Sequence, residues 1–146
     1  MTTLLESATP ADLTPIMALL ARTDLPPDGL RDHLATTLVA RSDQAIVGCA
    51  ALELYGAAAL LRSVAVEPSH QRQGLGQQLT QAALDLARQN GAREVYLLTT
   101  TAGAFFPRFG FEPVTRTDVP AAVQQSVEFT SACPVSALVM RLRLDG

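Results

Sequence analysis

The chain has 146 residues, of which 48% are hydrophobic and 17% charged, a balance typical of a folded domain and not of a disordered segment. A net charge of −3, scattered basic residues and the lack of tryptophan argue against a nucleic-acid-binding surface. We therefore expect one domain over residues 1–146 and no nucleic-acid partner.

Cysteine usage and the N-terminal segment bear on the cellular compartment. Cys49 and Cys133 are far apart and match no zinc-ligand spacing, so no metal site is predicted. Cys49 lies in an apolar run and is expected in the core, whereas Cys133 has no predicted role. The N-terminal segment lacks the basic start and apolar stretch of a secretory signal, and no apolar run approaches the ~20 residues of a membrane span. These patterns favour a cytoplasmic enzyme or binding module without a membrane partner.

A short strand and two helices are predicted first. Residues 2–9 have the pattern of a strand, and in the helix that follows Asp12 can cap the N-terminus while Pro15 is tolerated in the first turn. A break rich in proline and glycine then precedes a second, short helix over residues 28–37.

The central part of the chain predicts three strands. Residues 36–56 contain two aliphatic and β-branched runs joined by a polar turn at 41–44. Residues 58–66 are almost continuously apolar, which predicts a strand buried on both faces.

A long helix and the remaining elements follow. Apolar residues recur at helical spacing from Leu75 until Asn90 and Gly91 supply a stop signal. The last predicted elements are a strand over 93–101, a short helix over 102–110, a strand over 111–116, a helical segment over 119–129 and a strand over 137–144. This order implies an α/β fold with a mixed sheet, helices on both faces and a parallel crossover through the long helix.

Two glycines, Gly74 and Gly76, stand one residue apart at the start of the long helix. The amides of a helix N-terminus are unpaired, and the helix dipole favours an anion there. With Arg72 at the rim, this turn can bind a phosphate group. A tight turn that only joins two elements is the alternative, and it explains one glycine more easily than two.

The stretch "SVAVEPSHQRQGLGQQL" resembles the acetyl-CoA signature of the GNAT (GCN5-related) N-acetyltransferases. That signature is a strand ending in Val-x-Val, a short loop, and Gln/Arg-x-x-Gly-x-Gly/Ala at the start of a helix. A second family landmark, a short helix ending in Gly-Phe before a strand, is similar to "AFFPRFGFEPV". The distance between the landmarks and the order of elements also agree.

This resemblance implies a GNAT fold with a splayed central sheet and acetyl-CoA as co-substrate. It implies that loop amides hold the pyrophosphate, that the strand holds the pantetheine arm, and that the thioester lies where two strands diverge. The residues to which it assigns cofactor binding are Val64, Ala65, Val66, Gln71, Arg72, Gln73, Gly74, Leu75, Gly76, Gln77 and Phe106.

The chain departs from the family at the residues that move protons. Phe106 stands where many members have a tyrosine that protonates the departing thiolate, so this role is absent, moved or taken by water. Phe106 either packs against pantetheine or fills the core. The glutamate that members often place at the start of the central strand is also missing. Glu53, on the preceding strand, is the nearest candidate base, and a solvent-facing side chain is the alternative.

Arg62 interrupts the apolar run of the central strand and shares its alternation with Val64 and Val66. A buried arginine without a partner is costly, so the guanidinium is expected to face a carboxylate. That carboxylate belongs either to an acidic acceptor or to the protein itself, with Glu53 as one candidate.

Two further likenesses concern the acceptor. The segment "LTTTAGAFFPRFGFEPV" is similar to amino-acid acetyltransferases of the N-acetylglutamate-synthase type. The tail "VPAAVQQSVEFTSACPVSALVM" resembles a branch associated with arsenic resistance, whose members acetylate amino-acid-like arsenicals or glutamate mimics. Together they imply acetyl transfer to the primary amine of a small, anionic, amino-acid-like acceptor, in a family where homodimers are frequent. The alternative is a catalytically weak acetyl-CoA sensor.

Overall fold

The structure, a computed structural model, describes residues 3–100, 103–132 and 137–144; Cys133 lies outside these ranges. Its strands are β1 (Leu4–Ser7), β2 (Thr37–Ser42), β3 (Ala45–Tyr55), β4 (Ala58–Val66), β5 (Glu94–Thr99), β6 (Glu112–Val114) and β7 (Leu138–Arg143). Its α-helices are α1 (Leu13–Arg22), α2 (Leu75–Gln89) and α3 (Ala121–Gln124). None of the helices in the described ranges has the length and apolar character needed to cross a bilayer.

The strands form one seven-stranded sheet in the order β1-β2-β3-β4-β5-β7-β6. β4 and β5 are parallel and are connected through α2, and every other pair of described neighbours is antiparallel. The mixed sheet predicted from the order of elements is therefore confirmed.

Helices cover both faces of the sheet. α2 buries Leu79 and Ala83 against one face, in a core shared with Leu61 of β4. α1 buries Ile16 and Leu19 against the opposite face. Because each fully buried leucine or isoleucine contributes about 1.5–3 kcal/mol, these two apolar stripes fix both helices on the sheet.

β3 and β4 change register in the middle of the sheet. Cys49 pairs with Ala65, whereas Ala51 pairs with Arg62, so β4 carries one extra residue between these pairs. Ser63 lies in this interval with φ of +58°, a left-handed conformation that fits a β-bulge. The bulge reverses the alternation of side chains along β4.

The predicted alternation of Arg62 with Val64 and Val66 is therefore wrong. Val64 and Val66 pack with Leu61 against the α2 core, whereas Ala65 packs in the α1 core. Arg62 precedes the bulge and alternates with Leu61, so it lies on the α1 face. The inserted residue moves every later side chain to the opposite face, which places Val64 and Val66 on the α2 face.

β4 and β5 diverge after a short paired segment. Ala58–Leu60 pair with Glu94–Tyr96, and no pairing between the two strands continues beyond these residues in the described structure. Past this point β4 stays paired with β3, and β5 stays paired with β7. A gap therefore opens between two adjacent parallel strands, as expected for a splayed sheet.

The predicted cap of α1 differs from the observed one. Asp12 has helical φ and ψ, and its carboxylate makes no cap hydrogen bond to α1. Its Oδ2 instead accepts from the Thr9 amide at 2.8 Å and from Arg41 Nη2 at 2.6 Å. The reason is a short 3₁₀ turn, Pro10–Asp12, which precedes α1 and is capped by Thr9.

The helix predicted over residues 119–129 is interrupted. α3 ends at Gln124, and a π turn, Glu128–Ala132, follows. Between them the Ser126 hydroxyl oxygen accepts from the Glu128 amide at 3.2 Å, a side-chain bond that competes with the helical pattern.

The other predicted turns and helices differ less. Asp43 and Gln44, both with positive φ, make a two-residue turn between β2 and β3, shorter than the predicted turn 41–44. The short helix predicted over 28–37 is a 3₁₀ helix, Leu30–Thr36, with a kink at His33.

Candidate active site

Two adjoining cavities follow the free edge of β4. The first, called here the cleft, has a volume of about 310 Å³ and lies in the gap between β4 and β5. The second, called the loop pocket, has a volume of about 490 Å³ and lies over the loop before α2. Val64, Val66, Gln71 and Phe106 line both cavities, so together they form one groove.

The loop pocket contains most of the residues predicted to bind the cofactor. The predicted residues that line it are Val64, Val66, Gln71, Arg72, Gly74, Leu75, Gly76, Gln77 and Phe106. Ala65 lines the cleft, and Gln73 lines neither cavity.

Three further residues line the loop pocket, His70, Phe105 and Arg108, and none of them was predicted as a site residue. Arg108 lies over the Phe105 ring, 5.7 Å from its centroid. Together with Arg72 it places two guanidinium groups around the pocket, which suits a phosphate ligand. The segment that ends in Gly-Phe was predicted to lie near the cofactor site, but nothing in the sequence pattern indicated a binding role for Arg108.

The main chain at Gly74 leaves amides of the turn available to a ligand. Gly74 precedes α2 with φ of +79°, the left-handed region that favours glycine. The amide of Gln78 donates to Gly74 O at 3.0 Å, so the helical hydrogen bonds begin there and the amides before it have no carbonyl to reach. These amides and the helix dipole favour an anion.

The two glycines of the turn have different physical reasons. A Cβ added at Gly74 would meet no atom within 4 Å, so the requirement there is backbone conformation. A Cβ at Gly76 would lie 3.6 Å from Val66 and 3.7 Å from Phe105, which is ordinary contact. Gly76 therefore matters only for how closely a ligand approaches.

Gln71 holds the loop against the end of β4. Its side-chain amide donates to Val66 O at 3.1 Å. This bond fixes the junction between the loop pocket and the cleft.

Separate segments build the cleft. Most of its lining comes from β4, from β5 with the residue after it and from the turn that follows α1, and four single residues, Gln71, Phe106, Glu128 and Ala137, complete it. The charged residues among its described lining are Asp24, Arg62 and Glu128. Neither Asp24 nor Glu128 was predicted as a site residue, because the sequence around each does not indicate that the fold brings it to this cleft.

Arg62 is held entirely by the protein. Its Nη1 donates to Glu53 Oε2 at 2.8 Å, its Nη2 to Pro26 O at 3.2 Å, and its Nε to Ser63 Oγ at 3.1 Å. Glu128 Oε2 lies 3.6 Å from Nη2. The side chain has 0% exposed surface, so the small exposed part of the residue is main chain. The internal ion pair, one of the two alternatives for Arg62, is thus present.

Glu53 lies behind Arg62 and does not line the cleft. Burial raises the pKa of Glu53, but hydrogen bonds from Tyr55, Ser126 and Arg62 outweigh it, and the net shift is downward. Burial and the bond to Glu53 raise the pKa of Tyr55 to about 12. A low pKa and engaged oxygens make Glu53 a weak proton acceptor, so its role as a base stays a prediction that the geometry does not favour.

Phe106 fills the core and also lines both cavities. Its ring packs edge-on against Phe105 at 5.1 Å and against Phe111 at 5.7 Å between centroids. The two alternatives for this residue, core packing and contact with a ligand, are compatible in this position.

Cys49 is buried, and burial raises the pKa of its thiol to about 12. Its Sγ donates to Ser63 O at 3.1 Å. In the described ranges no three His, Cys, Asp or Glu residues converge on a point where a metal ion could bind.

Sequence comparisons relate the chain to acetyltransferases. The family model of the acetyltransferase (GNAT) domain matches residues 33–113. An amino-acid acetyltransferase of Aeromonas salmonicida (strain A449) is 33% identical over 91 residues, which is 61% of this chain and 20% of that protein. A Neisseria meningitidis amino-acid acetyltransferase is 29% identical over 93 residues, 62% of this chain and 21% of that protein. The matches thus span about a fifth of the length of these curated relatives.

Solved structures show the same fold. N-acetylglutamate synthase from Neisseria gonorrhoeae, complexed with coenzyme A and N-acetyl-glutamate, has a TM-score of 0.85 at 22% identity. The match covers 100% of this chain and 36% of the synthase chain. Rv2747 from Mycobacterium tuberculosis, whose structure contains CoA, has a TM-score of 0.82 at 23% identity. The match covers 97% of this chain and 99% of the Rv2747 chain.

Proposed function

Since the chain belongs to the GNAT acetyltransferase family, we propose that it transfers the acetyl group of acetyl-CoA to a primary amine on a small, amino-acid-like acceptor. The observation that carries this proposal is the single groove, in which a phosphate-binding turn leads into a cleft between two diverging strands.

The loop pocket suits the phosphates of acetyl-CoA. The amides of the turn at Gly74 and the guanidinium groups of Arg72 and Arg108 supply donors and positive charge. Two solved relatives, from Neisseria gonorrhoeae and Mycobacterium tuberculosis, contain CoA, which supports acetyl-CoA as the co-substrate.

The cleft suits the reaction itself. β4 presents a main-chain edge that β5 does not pair beyond Leu60, and its amides can polarise a thioester carbonyl there. Stabilisation of a developing oxyanion by one such donor is worth about 2.7–4 kcal/mol. The CoA thiolate leaves without much help from an acid, since thiol pKa values lie near 8.5, about 1.5 units above neutral pH. This accounts for a phenylalanine at position 106.

We further propose an anionic amino-acid acceptor, such as glutamate or a phosphinic or arsonic analogue of it. Support comes from the amino-acid acetyltransferases among the relatives and from the N-acetyl-glutamate bound by the gonococcal synthase. An acceptor carboxylate can reach the Arg62 guanidinium only if it displaces Glu128, the more distant of its two carboxylate partners. A homodimer and a cytoplasmic location remain predictions.

Release of free CoA thiol, measured against a panel of amino acids and of phosphinic and arsonic glutamate analogues, tests the proposal. We expect acceptor-dependent release, with the N-acetylated product found by mass spectrometry. Reactions without an acceptor give the rate of thioester hydrolysis. Tight CoA binding without acetylation of any acceptor would contradict the enzyme proposal and favour an acetyl-CoA sensor.

A further inference from the structure

The ion pairs around Arg62 bring two carboxylates to one guanidinium. Glu53 Oε2 lies 2.8 Å from Nη1, and Glu128 Oε2 lies 3.6 Å from Nη2. Glu53 lies behind Arg62 and does not line the cleft, whereas Glu128 belongs to its wall. Of the two carboxylates, only Glu128 is placed to meet a molecule in the cleft.

The charge that such a molecule meets is negative. Arg62 lines the cleft, but its side chain has no exposed surface. The other two charged residues in the described lining are Asp24, exposed at the turn after α1, and Glu128, whose side chain is 5% exposed. This lining favours a positively charged group on the bound molecule, such as the ammonium group of an amino acid, because opposite charges attract.

We propose that the Glu128 carboxylate binds the ammonium group of the acceptor. This inference rests on the proposed function, since an amine acceptor carries one positive charge at neutral pH. Glu128 lines the same cleft as Val64 and Ala65 on the free edge of β4. An amine bound to Glu128 therefore lies close to the strand beside which the thioester is proposed to bind. The bond is a charge-assisted hydrogen bond, the stronger class in proteins.

The local structure holds the Glu128 main chain and side chain for this role. The Glu128 amide donates to Ser126 Oγ at 3.2 Å, which fixes the start of the π turn. Arg62 lies on the other side of the carboxylate and is itself bound to Glu53 and to Pro26 O. The glutamate is thus a binding residue for the acceptor, and Arg62 positions it.

Glu128→Gln tests the inference, because it removes the charge while Arg62 keeps Glu53 as its ion-pair partner. With CoA-saturated protein, calorimetry measures the affinity of the acceptor found in the panel and of the same molecule without its amino group. We expect Glu128→Gln to weaken acceptor binding by at least about tenfold, the size of a charged hydrogen bond, and to change binding of the deaminated molecule less than about twofold.

Two variants serve as controls. Glu112→Gln makes the same change at a carboxylate 3.5 Å from Arg141, outside the cleft lining, and should alter neither affinity. Asp24→Asn removes the other acidic group of the cleft and should have the smaller effect. Thermal unfolding of each variant separates a binding loss from a loss of folded protein.

Equal losses of affinity for the acceptor and its deaminated form in Glu128→Gln would overturn the inference. A larger loss of preference for the acceptor over its deaminated form in Asp24→Asn than in Glu128→Gln would also overturn it. An acceptor that the wild-type protein acetylates and that binds Glu128→Gln unchanged would remove the role of Glu128 while leaving the proposed function intact. Failure of the wild-type protein to bind or acetylate any panel amine would remove the proposed function, and this inference with it.

Discussion

The loop pocket and the cleft are two halves of one groove, and they are built in opposite ways. The loop pocket is formed largely by consecutive residues from His70 to Gln77, and its main chain supplies donors. The cleft is formed by residues from several distant segments, and its charged groups, Asp24, Arg62 and Glu128, lie 38 and 66 positions apart along the chain. A local arrangement leaves a motif in the sequence, and a distributed arrangement does not.

Because of this difference, substitutions in the loop pocket and in the cleft are expected to have different consequences. The loop pocket depends on left-handed backbone conformations at Arg72 and Gly74, where φ is +69° and +79°. The cleft depends on a buried charge network, Glu53–Arg62–Glu128, in which removal of Arg62 takes away the cation that two carboxylates share. Changes in the cleft are therefore expected to affect stability first, and changes in the loop to affect ligand binding first.

The largest effect is expected for Arg62→Leu. It removes the guanidinium that two buried carboxylates, Glu53 and Glu128, share, which costs about 3–5 kcal/mol of unfolding free energy. For a domain of this size that lowers Tm by about 10–16 °C. Scanning calorimetry measures the shift, with Arg88→Leu as control, because Arg88 pairs with Asp85 on the surface. An equal Tm in the two variants would contradict the network. A change in acceptor KM in Arg62→Leu is interpreted only at a temperature at which the variant is still folded.

Gly74→Ala comes next and addresses the loop pocket. Alanine at φ of +79° costs about 1–2 kcal/mol and shifts the amides of the turn. We expect the Kd for CoA to rise at least about tenfold, which corresponds to about 1.4 kcal/mol. Gly91→Ala is a matched control, since Gly91 has φ of +85° and equally open space at the far end of α2. A similar Kd in both variants would remove the role of the turn.

The charge network also predicts a pH dependence. The pKa of Glu53 in the folded protein lies below its usual value. The carboxylate therefore stabilises the fold above the unfolded pKa of about 4.3, and this contribution is lost as pH falls through the lower folded pKa. Urea unfolding between pH 7 and pH 3 should show a weaker acid dependence in Glu53→Gln than in wild type. Parallel profiles would contradict the assignment.

The smallest effect is expected for Phe106→Tyr. It restores a hydroxyl where the family resemblance places the proton donor, in a ring that lines both cavities. A general acid typically raises the reaction rate by a factor of about 10²–10⁴. A leaving thiol with a pKa near 8.5 needs little protonation, so we expect kcat to rise by less than about tenfold. Phe111→Tyr, in a neighbouring buried ring, should not raise kcat. An equal rise in both would locate the effect outside the groove.

Much of the framework could be predicted because its signals are local. The residues of β4, 58–66, and the start of α2 at Leu75 agree with the sequence prediction, since an unbroken apolar run and a helical repeat lie within single segments. The helix predicted over 119–129 was wrong beyond Gln124, because the Ser126 hydroxyl competes for the Glu128 amide, a choice that periodicity does not encode.

By itself, the sequence determined the order of strands and helices, the glycine turn at the start of α2 and the family to which the chain belongs. The tertiary structure alone decided on which face of the sheet Arg62 lies, because the bulge at Ser63 inserts one residue and inverts the alternation read from the strand. It also brought Glu128 to the cleft. Local propensity depends on neighbours along the chain, whereas a charge network forms only when packing brings distant carboxylates to one guanidinium.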